Sequence, residues 1–153
     1  MTTTRTSATS RRGRSADHLP VVRISRELLD DLVAHAREDA PNECCGMVAT
    51  HDGEAVKVFR ARNVHASPLR YEVHPKDQLR AMMEIDDEGW ELGAIYHSHT
   101  RSDPVPSQTD VNLASNWPDP LYVIVGVAGE DPDVRAWAIR DGDVAPARIE
   151  IEG

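Results

Sequence analysis

The segment His97-Ser98-His99 places two imidazoles at positions i and i+2, at the end of an apolar run that begins at Leu92. Side chains at these positions of a strand project from the same face, so both rings can reach one metal ion. Asp110 follows eleven residues after His99 and offers a carboxylate as a third ligand. This donor set leaves one position of zinc open to water, whose pKa then falls to roughly 7. The three residues predict a catalytic zinc site.

Each of these residues also has a simpler explanation when it is considered alone. A histidine on an apolar strand is usually a core residue, and Asp110 fits the first turn of a helix. Ser107 fits a helix N-cap, and Glu43 fits a solvated loop. The metal interpretation therefore depends on the joint spacing: His97-Ser98-His99, seven residues, Ser107, two residues and Asp110.

That spacing resembles the JAMM signature, H-x-H-x7-S-x2-D, of the MPN+ (Mov34-type) zinc metalloprotease family. Further upstream, Pro41-Asn42-Glu43-Cys44-Cys45-Gly46 resembles the P-x-E-x-C-G segment of the same family. The resemblance spans roughly residues 21–151. It implies a cytidine-deaminase-like JAMM/MPN fold, which is an α/β (α+β) three-layer arrangement of a mixed sheet with about three helices.

The resemblance implies a role for each motif residue. His97, His99 and Asp110 would hold one Zn²⁺ per chain. Glu43 would act as the general base and pass a proton to the leaving amine, because an amide nitrogen leaves poorly unless it is protonated. Ser107 would donate a hydrogen bond to the tetrahedral oxyanion, where one donor is typically worth about 3 kcal/mol.

The segments around both halves of the motif resemble the actinobacterial members that release cysteine from a ubiquitin-like sulfur carrier protein. This implies hydrolysis of an amide or isopeptide bond after the carrier's C-terminal Gly-Gly, in cysteine biosynthesis. Asn63, Ser67-Pro68 and Tyr71 resemble that subfamily too, and either line a groove for the carrier tail or form ordinary loop and strand structure. We expect the extended tail to add a strand beside the motif strand.

Several alternatives stay open at this point. The enzyme could be a JAMM deconjugase or an amidase acting on another substrate, or the domain could be a non-catalytic interaction module. Non-haem iron oxygenases also use two histidines and a carboxylate, but they usually combine His-x-Asp/Glu with a distant histidine. Cys44 and Cys45 suggest a thiol nucleophile, although their spacing indicates no Cys-His pair and small buried cysteines are common in cores.

Hydrophobic periodicity supplies the elements that must position these residues. It predicts a helix at 26–39 with Ser25 as N-cap, and a second from Pro75 to about Asp87 with Leu79, Met82 and Met83 facing inward. A third helix starts at Ser107. Asp-Gly pairs predict turns at 52–53 and 141–142. The predicted strands cover residues 21–24, 46–49, 55–59, 71–73, 92–99, 121–127, 134–139 and 147–151.

Composition limits the remaining possibilities. The formal net charge of -9 over 153 residues argues against nucleic acid as a partner. Residues 1–20 carry four arginines and one aspartate, which predicts a disordered basic tail before a metalloprotease domain at 21–153. The sequence contains no run of about 18 apolar residues, which is the length that would indicate a membrane span. The two adjacent cysteines have no third cysteine to pair with, which favours a reducing, cytoplasmic location.

Overall fold

Three helices and seven strands alternate along the chain in the computed structural model, which describes residues 19–153. The predicted basic tail, residues 1–20, lies outside the described residues apart from its last two positions. The elements in chain order are β1 (Val21–Ser25), α1 (Arg26–Asp39), β2 (Cys45–His51), β3 (Glu54–Ala61), α2 (Pro75–Glu88), β4 (Glu91–His99), α3 (Gln108–Ala114), β5 (Leu121–Gly126), β6 (Asp133–Arg140) and β7 (Asp143–Glu152).

The strands form one mixed sheet in the order β1-β3-β2-β4-β5-β6-β7, and the sheet closes because β1 pairs in parallel with both β3 and β7. The motif strand β4 lies inside the sheet. It runs antiparallel to β2 on one side and parallel to β5 on the other. Both edges of β4 are therefore occupied by neighbouring strands of the same chain.

The closed sheet separates two hydrophobic clusters. On its inner face, α1 contributes Leu29, Leu32, Val33 and Ala36 to a core that includes alternate residues of β4 and β5. On its outer face, Ile95 and Tyr122 pack with residues of α3 and the segment that follows it. Because side chains alternate along a strand, β4 serves both cores. This confirms the predicted three-layer α/β arrangement of a mixed sheet with three helices.

Local signals in the sequence set most element boundaries. Ser25 accepts a hydrogen bond from Leu28 N at 3.2 Å and caps α1, which covers the predicted range. Asp52 and Gly53 have φ values of 52° and 82°, and Asp141 and Gly142 have values of 54° and 83°. Two successive positive φ angles make the type I′ turns that join twisted antiparallel strands. Both predicted turns are confirmed.

Two local predictions are wrong. Leu79 and Met83 are 62% and 60% exposed, whereas the buried face of α2 carries Ala81 and Ile85. Met82, the third residue predicted to face inward, is half-buried, so the apolar residues of α2 do not all mark its inward face. Residues 71–73 form a single isolated bridge between Val73 and Asn63 instead of a strand. The amide of Glu72 donates to the side chain of Asn63, which replaces a ladder hydrogen bond.

Within residues 19–153, no helix is both long enough and apolar enough to cross a membrane.

Candidate active site

The carboxyl end of β4 delivers two histidines to one point on the outer face of the sheet. His97 pairs with Cys45 of β2 and with Ile124 of β5, so the strand is held on both sides. His99 is the last residue of the strand. Both rings are buried, with His97 only 1% exposed. Their Nε2 atoms lie 3.2 Å apart, as the i, i+2 spacing predicts.

The first turn of α3 brings in the carboxylate. Ser107 is the N-cap, and its hydroxyl accepts a hydrogen bond from Asp110 N at 3.1 Å. In return, the Oδ2 atom of Asp110 accepts a hydrogen bond from Ser107 N at 2.9 Å. This reciprocal capping box fixes the Asp110 side chain. The same Oδ2 atom lies 3.1 Å from Nε2 of His97 and 3.1 Å from Nε2 of His99.

The three atoms fit the demands of a zinc ion. Tetrahedral zinc with bonds of about 2.0–2.2 Å separates its ligand atoms by roughly 3.3–3.6 Å, close to the observed triangle. Nδ1 of His99 donates to the carbonyl oxygen of Asp103 at 2.8 Å, so a neutral His99 turns the lone pair of Nε2 towards the triangle. That lone pair faces a carboxylate oxygen, and a cation between them satisfies both. The group offers two buried imidazoles and one buried carboxylate.

The electrostatics of the group follow from burial and proximity. Burial opposes ionisation of Asp110, but hydrogen bonds with His97 and His99 outweigh it and hold the pKa of that carboxyl well below its usual range. Burial lowers the pKa of His97. Burial also lowers the pKa of His99, but its hydrogen bonds with Asp110 and the Asp103 carbonyl produce a net rise. Asp110 is therefore a permanent anion beside two imidazoles.

Aromatic stacking orients the His97 ring. Tyr71 stacks on it with ring centroids 4.1 Å apart and an angle of 15° between the planes. The Nδ1 atom of His97 has no hydrogen-bond partner within the described part of the chain. Metal-binding histidines usually donate from this second nitrogen, as His99 does. The stacked tyrosine takes over the orienting role at His97.

Glu43 reaches the site from the segment before β2. Cys44 continues the pairing between β2 and β4, since Ser98 N donates to its carbonyl at 3.1 Å and its own N–H donates to the Ser98 hydroxyl at 2.8 Å. Glu43 then lies opposite His99 and shares its face of the sheet. The carboxyl is only 5% exposed, and Oε1 has no hydrogen-bond partner among residues 19–153. Burial raises the pKa of Glu43 to about 8.

Ser107 is the one exposed member of the predicted site. Its hydroxyl oxygen accepts from Asp110 N, so the hydroxyl hydrogen is free to donate to a group outside the helix. The structure therefore brings His97, His99 and Asp110 into contact, places Glu43 on their face, and leaves Ser107 exposed in the capping box with Asp110.

Three further residues support the site, although the sequence motif gave none of them a role in it. Ser98 holds the Glu43 segment, the Asp103 carbonyl orients His99, and Tyr71 orients His97. The position of Ser98 between the two histidines was the available signal, because its side chain must point to the opposite face. The backbone acceptor of Asp103 leaves no signal in residue types.

The two cysteines are buried and Asn63 binds backbone groups, whereas the groove for the carrier tail stays a prediction. Burial raises the pKa of Cys44 to about 12 and that of Cys45 higher still, so neither thiol is a ready nucleophile. The side chain of Asn63 donates hydrogen bonds to the backbone carbonyls of Glu43 and Arg70. The expected addition of a substrate strand beside β4 is wrong, because β2 and β5 already occupy both of its edges.

Comparison with known proteins defines the class. Residues 25–140 match the family described as prokaryotic homologs of the JAB domain. The chain is 35% identical over 136 residues to the CysO-cysteine peptidase of Mycobacterium tuberculosis, covering 86% of this chain and 91% of the relative. It is 38% identical over 114 residues to the desampylase of Haloferax volcanii, covering 69% and 81%.

Solved structures share this fold. A protein from Desulfitobacterium hafniense superimposes with a TM-score of 0.78 at 27% identity, covering 86% of this chain and 92% of that one. A JAB1/MPN domain protein from Archaeoglobus fulgidus shares the fold with a TM-score of 0.55 at 16% identity, covering 84% and 95%. The chain therefore belongs to the prokaryotic JAB family. It is a peptidase of the JAMM metalloprotease type, which decides against the oxygenase alternative.

Proposed function

We propose that this chain is a zinc-dependent peptidase that cleaves the bond after the C-terminal Gly-Gly of a ubiquitin-like sulfur carrier protein and releases cysteine. The observation that carries the proposal is the convergence of His97, His99 and Asp110 on the face that also holds the buried Glu43, whose Oε1 atom has no hydrogen-bond partner within residues 19–153. The similarity to a CysO-cysteine peptidase over 86% of the chain supports cysteine as the leaving group.

His97, His99 and Asp110 would hold the zinc ion through Nε2, Nε2 and Oδ2. When bound there, zinc supplies a Lewis acid that polarises the scissile carbonyl and favours deprotonation of water. The protein keeps the three donors in place before binding, because β4 is fixed by two neighbouring strands and Asp110 by its capping box. The ligand set therefore needs little reorganisation.

Glu43 would move the proton. Its Oε1 atom has no donor within the described residues, so it is available to accept the proton of the attacking water. The same carboxyl then delivers this proton to the amide nitrogen as the carbon–nitrogen bond breaks. A base with a pKa near the working pH suits both steps, since it must gain and lose the proton in each turnover.

Ser107 would stabilise the developing charge. Its hydroxyl oxygen accepts from Asp110 N, which leaves the hydroxyl hydrogen of this exposed residue free to donate beside Asp110. A hydrogen bond to the carbonyl oxygen gains strength as that oxygen becomes an anion.

The peptidase domain in this proposal covers residues 21–153. Its location is the cytoplasm, where the unbridged Cys44 and Cys45 stay reduced.

A second candidate is an isopeptidase that separates a ubiquitin-like protein from a lysine side chain. The 38% identity to a desampylase favours it. A Thermus thermophilus relative with the same identity is described as a probable TtuB-protein conjugate cleaving protease. Both candidates use the same chemistry at a carbonyl that follows glycine, and they differ in the amine that leaves.

One substrate panel separates the candidates. The zinc-loaded protein is incubated with a sulfur carrier protein that ends in Gly-Gly-Cys, with carriers that end in other amino acids, and with a lysine-linked conjugate. Mass spectrometry then identifies the products with and without chelator. We expect the Gly-Gly-Cys carrier to lose cysteine fastest. Preferred cleavage of the lysine conjugate would select the second candidate, and cleavage of none would refute both.

A further inference from the structure

The side chain of Asn63 forms four hydrogen bonds, each with a backbone group. Its Nδ2 atom donates to the carbonyl of Glu43 at 3.1 Å and to the carbonyl of Arg70 at 3.0 Å. Its Oδ1 atom accepts from the amides of His65 and Glu72, both at 3.1 Å. A carboxamide has two donors and two lone pairs, so its capacity is fully used.

Only an amide matches this set of partners. Two carbonyl oxygens face the nitrogen and two N–H groups face the oxygen, which also fixes the orientation of the amide. An aspartate at position 63 would turn a second oxygen towards both carbonyls. It would keep the two bonds on the Oδ1 side and lose the two that reach Glu43 and Arg70. The substitution therefore isolates the donor half of the group.

The first of those donor contacts bears on Glu43. Both backbone polar groups of Glu43 are held by the segment at 63–72, since its N–H donates to the Ser67 carbonyl at 2.8 Å and its carbonyl accepts from Asn63. The side chain offers no comparable anchor, because Oε1 has no partner within the described residues. The hydrogen bonds that hold residue 43 are therefore those of its backbone, which fix the point from which the carboxyl side chain extends.

The contacts of Asn63 with Arg70 and Glu72 hold the backbone around Tyr71. Asn63 binds the carbonyl of Arg70 and the amide of Glu72, so it holds the backbone on both sides of Tyr71. The Tyr71 ring stacks on His97 at a centroid distance of 4.1 Å. One amide thus connects the segment that carries Glu43 with the aromatic ring that orients a proposed metal ligand.

We infer that Asn63 is a positioning residue, which aligns the Glu43 carboxyl with the His97 side of the metal group by fixing the backbones of residues 43 and 70–72. The inference rests on the proposed function, because it assumes that Glu43 is the base. All four hydrogen bonds of the Asn63 side chain go to backbone groups, so Asn63 acts through the residues that it holds. Its loss should therefore slow the chemical step and leave substrate binding and metal content nearly unchanged.

The experiment compares Asn63→Asp with Asn112→Asp. Asn112 is exposed on α3, and its side chain accepts one hydrogen bond from Gln108, which an aspartate preserves. The control thus adds the same charge near the site without disturbing a backbone. For each protein the zinc content, kcat, KM and melting temperature are measured with the cleaved carrier substrate. Amide hydrogen exchange of residues 42–45 and 70–73 is measured on the metal-free proteins.

We expect Asn63→Asp to bind one zinc per chain, to lower kcat by about 10- to 100-fold and to change KM by less than about threefold. Exchange should accelerate in both segments of this variant and in neither segment of Asn112→Asp. In a Glu43→Gln background, Asn63→Asp should cause no further loss of residual activity, because the group it positions is absent. Wild-type kcat, a loss confined to KM, or an equal loss in the Glu43→Gln background would overturn the inference.

The design also separates this inference from the proposed function. If Glu43→Gln retained wild-type activity, the base assignment would fail and the inference would fall with it. If Glu43→Gln were inactive while Asn63→Asp remained fully active, only the role of Asn63 would be refuted. Asn63→Ser shortens the side chain and removes the contacts of the amide without adding charge, and it serves as the test if Asn63→Asp does not fold.

Discussion

Glu43 is a carboxyl group whose chemistry is set by its surroundings. It is 5% exposed, burial raises its pKa to about 8, and Asp110 adds to that rise while His99 opposes it. A neighbouring cation would favour the ionised form and lower this pKa. In the metal-free protein the group is protonated at neutral pH. Metal loading should therefore convert it into a base.

Substitution of Glu43 by glutamine tests that role directly. The amide keeps the size of the side chain but cannot accept a proton from water, so we expect at least a 10²-fold loss of kcat. Zinc content and circular dichroism should match the wild type, because Glu43 is outside the ligand triangle. Both are measured on the sample used for kinetics. Cleavage at the wild-type rate would remove Glu43 from the mechanism.

The raised pKa also predicts how stability depends on pH. Between the ordinary value of about 4.5 and the folded value of about 8, the folded state retains a proton that the unfolded state releases. The free energy of unfolding should therefore fall as pH rises through this window. Glutamine has no such proton, so Glu43→Gln should gain on the order of 3 kcal/mol relative to wild type between pH 5 and pH 8.5.

Urea unfolding of both metal-free proteins at the two pH values provides the measurement. Other titrating groups contribute to both proteins and largely cancel in the difference. Curves that stay parallel across this range would show that the Glu43 carboxyl titrates normally.

Ser107 has a structural and a proposed chemical role, and a matched variant separates them. Ser107→Ala should lower kcat by about 10²-fold, because the oxyanion loses a donor, and should cost about 1 kcal/mol of stability through the lost cap. Ser25→Ala removes the N-cap of α1, which is remote from the motif in sequence and makes the same type of contact. It should cost similar stability while kcat stays constant. Equal kinetic effects of the two variants would reduce Ser107 to a cap.

At the scale of elements, the site depends on close packing of β2 between β3 and β4. A Cβ atom added to Gly46 would lie 2.4 Å from the carbonyl of Phe59 in β3 and 2.5 Å from the ring of Tyr96 in β4. The backbone carbonyl cannot rotate away, so β2 would have to shift between its two neighbours. Because Cys45 pairs directly with His97, such a shift would displace the site as well.

Gly46→Ala should therefore destabilise the protein by about 3 kcal/mol and lower its affinity for zinc. Gly129→Ala is the control, since a Cβ atom there has no neighbour within 4 Å. Its stability should stay within about 0.5 kcal/mol of the wild type. Thermal unfolding and zinc titration of both variants check the result. Wild-type stability of Gly46→Ala would contradict the tight packing of β2 between β3 and β4.

Elements with local signals were predictable from the sequence. The cap at Ser25 and the two Asp-Gly turns depend on neighbouring residues, and all three are confirmed. The inward face of α2 was not predictable, since Leu79 and Met83 carry the apolar signal while Ala81 and Ile85 fit against the sheet. The space available to a helix depends on tertiary packing, which local periodicity does not report.

At the scale of the whole molecule, the pairing of β2 with β4 places Glu43 and the histidines together. The grouping of His97, His99 and Asp110 was predictable from the spacing of the motif and from its resemblance to a known signature. The location of Glu43 could not be predicted from spacing. Between Glu43 and His97 lie 53 residues, and only the pairing of Cys45 with His97 brings the two segments together. The occupation of both edges of β4 could not be predicted either, because it depends on β5 being the parallel neighbour of β4.

The proposed function requires that His97, His99 and Asp110 form the centre of a metal-dependent peptidase. The most direct test strips the protein with chelator and titrates zinc back while the release of cysteine from a Gly-Gly-Cys carrier is followed by mass spectrometry. We predict that activity rises from the background level and saturates at one zinc per chain, and that Asp110→Asn stays inactive throughout. Full cleavage by the stripped protein, or by Asp110→Asn, would contradict the account.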